Sequence, residues 1–131
     1  MNLVIDTSVI IAVIANEPEK ADLLAKTQGA DLFAPNSVHW EVGNALSAML
    51  KRQRIALDQA IAAIMIYEVI PLNLINVDLV QAVKLSGQLN IYAYDAYVIA
   101  CALDQDCPLL SLDGGLVYAA KAAGADVVEV N

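Results

Sequence analysis

Large aromatic side chains are scarce in this chain, with one Trp and one Phe among 131 residues. A core without them is built from Ala, Val, Ile and Leu, and the 59% hydrophobic content supplies that material in abundance. Cationic side chains are also few: 7 Lys and Arg stand against 15 Asp and Glu, a net charge of -8. This is the wrong sign for a protein that grips phosphate through Lys and Arg alone. Any nucleic-acid contact therefore needs a divalent cation to offset the acids, or basic groups from a partner. The one cluster of bases is Lys51, Arg52 and Arg54. A helix C-terminus accounts for it without any ligand, because cations suit that end of the dipole.

Histidine and cysteine are just as sparse. His39 and the two thiols, Cys101 and Cys107, cannot supply a zinc site. With no disulfide framework, two free thiols in a reducing cytoplasm are the expectation. The amino terminus has no basic leader, and the apolar stretch between Asp6 and Asn16 is too short to span a bilayer. A soluble, unprocessed, cytoplasmic protein without membrane contact is expected. No repeat, low-complexity tract or linker interrupts the chain, and its length suits a single domain over residues 1–131. So aliphatic a composition excludes disorder, and it points to exposed apolar surface that a partner covers.

Periodicity and punctuation predict alternating strands and helices. Residues 2 to 5 (NLVI) are apolar throughout, as a strand buried on both faces requires, and end at Asp6. Thr7 and Ser8 can cap a helix over 8 to 15, and Pro18 opens a second through about residue 28. A brief strand at 32–34 precedes Pro35, and Asn36 or Ser37 can cap a long helix to about Arg54. Asp58 sits near the start of a helix to about Val69. A third strand over 70–74 contains Pro71, which places it near an edge. Further helices run from Asn76 or Asp78 to about Leu89, and from Tyr94 or Asp95 to about Asp104. A strand at 109–112 ends at Asp113, a helix stops at Gly124, a suitable left-handed cap, and a last strand covers 127–130. This order predicts an α/β sandwich around a mostly parallel sheet. Ligands in such a fold bind beyond the carboxyl ends of the strands. Asp6 and Asp113 each follow an apolar strand, so both belong on that edge.

Four acids carry the chemistry. Asp6, Asp95 and Asp113 can each be read as a helix cap, but their contexts suggest more. Asp6 has Thr7 and Ser8 beside it as alternative caps. Glu41 lies within an apolar helix among Trp40, Val42, Ala45 and Leu46, and Asp95 lies among Tyr94, Ala96, Tyr97 and Val98. An inward acid in such company is costly unless a cation meets it. Four converging carboxylates would also repel one another and raise their pKa values. Oxygen-only ligation points to Mg²⁺ or Mn²⁺. Asn44, three residues after Glu41, shares its helical face. Together with Thr7 and Ser111 it is a polar candidate near the acids, although each also reads as an ordinary cap or turn residue. His39, two residues before Glu41, points to another face and reads as structural or exposed.

The segments IDTSVII at 5–11, EVGNAL at 41–46, YDAYVIACA at 94–102 and LLSLDGGL at 109–116 resemble the successive motifs of PIN-domain ribonucleases, most of all VapC-type toxins of toxin–antitoxin systems. The likeness covers nearly the whole chain. It implies a PIN-like three-layer sandwich and an acidic set of Asp6, Glu41, Asp95 and Asp113 that holds Mg²⁺ or Mn²⁺ for RNA hydrolysis. Thr7 and Ser111 become polar support. It also implies a homodimer and a cognate antitoxin whose tail covers the active site. One departure stands out: Gly114 and Gly115 follow Asp113 where many relatives carry basic or polar residues, which leaves that edge poor in phosphate contacts.

Two other readings stay open on the residues alone. A phosphatase-like hydrolase of small phosphoesters would use an Asp after the first strand, but the usual second Asp two residues on is replaced by Ser8. A non-catalytic α/β binding module would use all the acids as caps. A receiver domain is excluded, since no mid-chain strand ends in Asp and its Lys is missing.

Overall fold

Four parallel strands form the sheet of the computed structural model, which describes residues 1–130. They are β1 (Asn2–Ile5), β2 (Asp31–Pro35), β3 (Leu72–Ile75) and β4 (Leu109–Leu110), in the order β3-β2-β1-β4. Seven helices among the described residues cover the faces: α1 (Thr7–Ile14), α2 (Lys20–Thr27), α3 (Ser37–Lys51), α4 (Leu57–Glu68), α5 (Leu79–Leu89), α6 (Ala93–Gln105) and α7 (Gly114–Ala122).

Side-chain alternation along the strands produces the three layers. Leu3 and Ile5 face a core shared with Val9, Ile10, Leu23, Val38, Val42 and Tyr67, on α1 to α4. Val4 faces the opposite core, built from Val98, Ile99, Leu116 and Ala120 on α6 and α7, with Leu85 and Leu89 of α5 packed against it. Leu110 and Leu109 divide between the two cores in the same way. The all-apolar β1 is therefore buried on both faces, as its composition requires. Aliphatics fill both cores, and Tyr67 is the one aromatic among the buried hydrophobic residues.

Several boundaries differ from expectation. The second helix starts at Lys20, not Pro18, since 18 and 19 form a turn. β3 begins at Leu72, after Pro71, which has no N–H for a ladder; it is an edge strand, as foreseen. α6 starts at Ala93, with Tyr92 rather than Tyr94 or Asp95 at the cap. The last predicted strand, 127–130, is reduced to one parallel bridge between Leu109 and Val127, with Val128 N donating to Leu109 O at 2.9 Å. β4 is equally short, and the reason lies in its hydrogen bonds. Leu112 N donates to Ser8 Oγ and Asp113 N to Ser111 Oγ, both at 3.0 Å. These backbone groups serve side chains, so neither donates to a ladder.

Candidate active site

β1 and β4 lie side by side, with Ile5 paired to Leu110. Because the strands are parallel, both chains leave the sheet at the same edge, where the chain order reverses across the sheet. Asp6 follows β1, and Ser111 and Asp113 follow β4. β2 ends on this edge too and feeds directly into α3, so Glu41 in the second turn of α3 stands beside the same edge. Asp95 arrives on the first turn of α6, a helix packed on β1 and β2.

Asp6 is buried, with both carboxylate oxygens engaged. Oδ1 accepts from Ser8 Oγ at 2.6 Å and from Val9 N at 3.3 Å, and Oδ2 accepts from Ser111 Oγ at 2.7 Å. The bond from Val9 makes Asp6 the N-cap of α1. Here the sequence reading needs correction: Ser8 does not replace Asp6 as the cap but turns its hydroxyl onto Asp6. Ser8 also accepts from Leu112 N, so one hydroxyl ties the ends of β1 and β4 together. Asp113 caps α7, its Oδ1 accepting from Gly115 N at 3.0 Å and Leu116 N at 3.2 Å. Asp95 caps nothing, and its carboxylate accepts no hydrogen bond among the described residues.

The four acids sense one another electrically. Burial pushes the Asp6 carboxyl above its ordinary 3.8; hydrogen bonds from Ser8, Ser111 and Val9 pull it back, and the charge of Asp113 adds to the rise. Glu41 is raised above 4.5, first by burial and then by the charges of Asp6 and Asp95, against the pull of the nearby Ser37 and Thr7 hydroxyls. Asp95 is raised by burial and by the charge of Asp113. These charge effects run in a ring, from Asp113 on Asp6 and Asp95 and from Asp6 and Asp95 on Glu41.

Beside this ring opens a pocket of about 480 Å³, lined by Thr7, Trp40, Glu41, Asn44, Ala45 and Tyr94. Thr7 Oγ1, Ser37 Oγ and Glu41 Oε2 are all buried and without a hydrogen-bond partner. Although Ser37 and Thr7 lie near enough to Glu41 to favour its charge, neither is aligned for a proper bond. Such orphaned oxygens are costly unless a donor or cation meets them. The donor set fits a hard divalent ion. No three His, Cys, Asp or Glu side chains among the described residues are grouped closely enough to hold one ion together. An ion at this edge would be held by one or two of these carboxylates, with water and substrate phosphate completing its shell.

Asn44 lines the pocket and makes no side-chain hydrogen bond among the described residues. His39 is exposed, its Nδ1 3.1 Å from Tyr67 Oη, and is structural as expected. Both cysteines are free; burial pushes the Cys101 thiol up to about 12 and leaves it inert. Two features escaped the sequence reading. Ser8 was seen as a cap and is instead the bridge between strand ends. Trp40, counted as an apolar flank of Glu41, is 77% exposed.

The family described as PIN domain matches residues 3–122. Among curated proteins, none matches the sequence. Solved structures share the fold at low identity. VapBC2 from Rickettsia felis, solved bound to a promoter DNA fragment, matches with TM-score 0.69 at 13% identity, covering 100% of both chains. VapBC-1 from nontypeable Haemophilus influenzae matches with TM-score 0.67 at 16% identity, over 98% of each chain. VapC20 of Mycobacterium tuberculosis, a toxin that cleaves the sarcin–ricin loop, matches with TM-score 0.63 at 18% identity, over 89% of this chain and 94% of that one.

Proposed function

The chain belongs to the PIN-domain family, and from that premise we propose that it is a metal-dependent endoribonuclease, the toxin of a toxin–antitoxin pair. The observation that carries the reading is the ring of coupled acids at one sheet edge, with Glu41 Oε2 buried and unpartnered beside an open pocket. As simple caps, these acids would gain nothing from mutual repulsion. At a cation site, the bound ion removes that repulsion.

Asp6 and Asp95 are the first choices to hold Mg²⁺ or Mn²⁺, with Glu41 and Asp113 holding water around it. A divalent ion there supplies a lowered water pKa and offsets charge on the scissile phosphate. The chain's own part is positioning. Ser8 and Ser111 lock both oxygens of Asp6, and the α7 N-terminus fixes one oxygen of Asp113. Glu41, with its raised pKa, is suited to orient the attacking water. Thr7 and Asn44 offer polar contacts to the substrate or to that water. No histidine or lysine lines the pocket, so no separate general base is assigned.

The partner reading rests on two exposed apolar rows. Leu57, Ile61, Met65 and Val69 repeat every four residues along α4 and just beyond it, and Leu79, Val80 and Val83 lie on α5. Patches of this kind mark protein contacts, and they suit a cognate antitoxin and a second copy of the chain. Two structures that share the fold carry the names VapBC2 and VapBC-1. No helix of the described residues is long and apolar enough to cross a membrane.

Expression alone and with the neighbouring gene product, followed by sequencing the 5′ ends of cellular RNA, tests the reading. Discrete new ends that vanish with the partner are expected, as is at least a hundredfold loss of Mn²⁺-dependent cleavage in Asp6→Asn with Asp95→Asn. Full cleavage by that double variant overturns the site assignment. A titration with Mn²⁺ that shows no stoichiometric binding favours a binding module instead.

A further inference from the structure

We infer that Trp40 and Tyr94 form a stacking platform that grips unpaired RNA bases beside the carboxylates. The inference rests on the ribonuclease reading and adds how substrate is held. A chain this acidic lacks the cations for a phosphate-based grip. No Lys or Arg lines the pocket. The exposed Lys51, Arg52 and Arg54 lie at the far end of α3, roughly 15 Å along the helix from Glu41. Stacking needs no charge, since every base has a π-face.

Aromatic rings stand where stacking would need them. In a chain with one Trp, that residue is 77% exposed and directly precedes Glu41. Tyr94, directly before Asp95, is 59% exposed, and Tyr92 nearby is 88% exposed. Trp40 and Tyr94 come from different helices yet line the same pocket. Each ring is braced from one side in a T-shaped contact: Trp40 by His39 at 4.8 Å, which itself reaches Tyr67, and Tyr94 by Tyr97 at 5.8 Å. A braced, exposed ring loses little freedom when a base stacks on it. Bases within a duplex are already stacked, so the platform selects loops, bulges and single strands.

Trp40 is the chain's only Trp, so fluorescence excited selectively in the indole band reports this one ring. The intact protein, with Ca²⁺ in place of Mg²⁺ or Mn²⁺ to offset the acids without their tight octahedral geometry, is titrated with a mixed-sequence 12-nucleotide single-stranded RNA. Quenching is expected, at least tenfold weaker with the same sequence as a duplex. By anisotropy of labelled RNA, Trp40→Ala and Tyr94→Ala should each weaken binding about tenfold, the effect of losing one stacked base, and Trp40→Phe should retain most of it. Both positions are exposed, so the melting temperature should stay put. Wild-type affinity in Trp40→Ala overturns the inference. So does a Trp40 signal that responds to the antitoxin but not to RNA, which assigns the rings to a protein contact. Mn²⁺-dependent cleavage without quenching sinks the platform and spares the nuclease. Quenching without any cleavage on adding Mn²⁺ does the reverse.

Discussion

Asp6 shows how one side chain serves two demands. Its hydrogen bonds favour the charged form, and its burial opposes it; burial has the larger effect, and the carboxyl titrates higher than usual. The two serines that moderate this cost are therefore structural as well as positional. Ser111→Ala removes the only donor to Asp6 Oδ2 among the described residues, and Ser8→Ala removes a donor to Oδ1 and the acceptor for Leu112 N. Leaving buried polar groups unmatched costs about 1–3 kcal/mol. Each variant should lose stability in that range by urea unfolding. The two should lose comparable amounts, since Ser111→Ala also strands Asp113 N and each variant leaves groups unmatched on both strand ends. A Ser8→Ala protein as stable as wild type would show that the bridge between β1 and β4 carries no energy.

At the scale of elements, legibility followed the range of the interactions. The uninterrupted apolar run of β1 announces burial on both faces, and its ending at Asp6 announces the functional edge. Pro71 correctly places β3 at an edge. Gly124 is another local signal: it adopts φ +88° just past α7, where an L side chain is strained. Gly124→Ala should cost about 1–2 kcal/mol, read as a lower denaturation midpoint; an unchanged midpoint would mean that the turn relaxes freely. What could not be read depends on residues distant in sequence. The early end of β4 beside β1 follows from Leu112 N bonding to a serine at position 8. No local pattern encodes that pairing. Likewise, the burial of Glu41 was legible from its apolar helix, but the outward turn of Trp40 was not, because helical spacing alone does not distinguish a core ring from an exposed one at the rim of a pocket.

For the molecule as a whole, the acid ring couples stability to protons and metal. Asp6, Glu41 and Asp95 all have folded pKa values above their ordinary ones. The folded state thus binds protons more tightly than the unfolded chain, and these groups make stability fall as pH rises from the ordinary carboxylate range, near 4, up through the raised values. Above that window the full repulsive cost persists at neutral pH. In EDTA the melting temperature should therefore rise on acidification from pH 7.5 towards the ordinary carboxylate range, near 4, the reverse of a protein whose carboxylates sit in ion pairs. Only two ion pairs, Lys26–Asp22 and Lys121–Glu129, occur among the described residues, so little opposes this trend. Glu41→Gln should raise the metal-free melting temperature at pH 7.5 and flatten its pH dependence. The gain is at most about 1 kcal/mol, the scale of like-charge repulsion in a solvated pocket. Saturating Mn²⁺ should raise the wild-type melting temperature at pH 7.5, by the equivalent of about 2.7 kcal/mol at a hundred times the dissociation constant. It should abolish the gain on acidification, because protons and metal compete for the same oxygens. Calorimetric scans at the two pH values, with and without Mn²⁺, read all of these effects. A metal-free protein that loses stability on acidification, and gains none from Mn²⁺, would mean that the four acids do not act as one site.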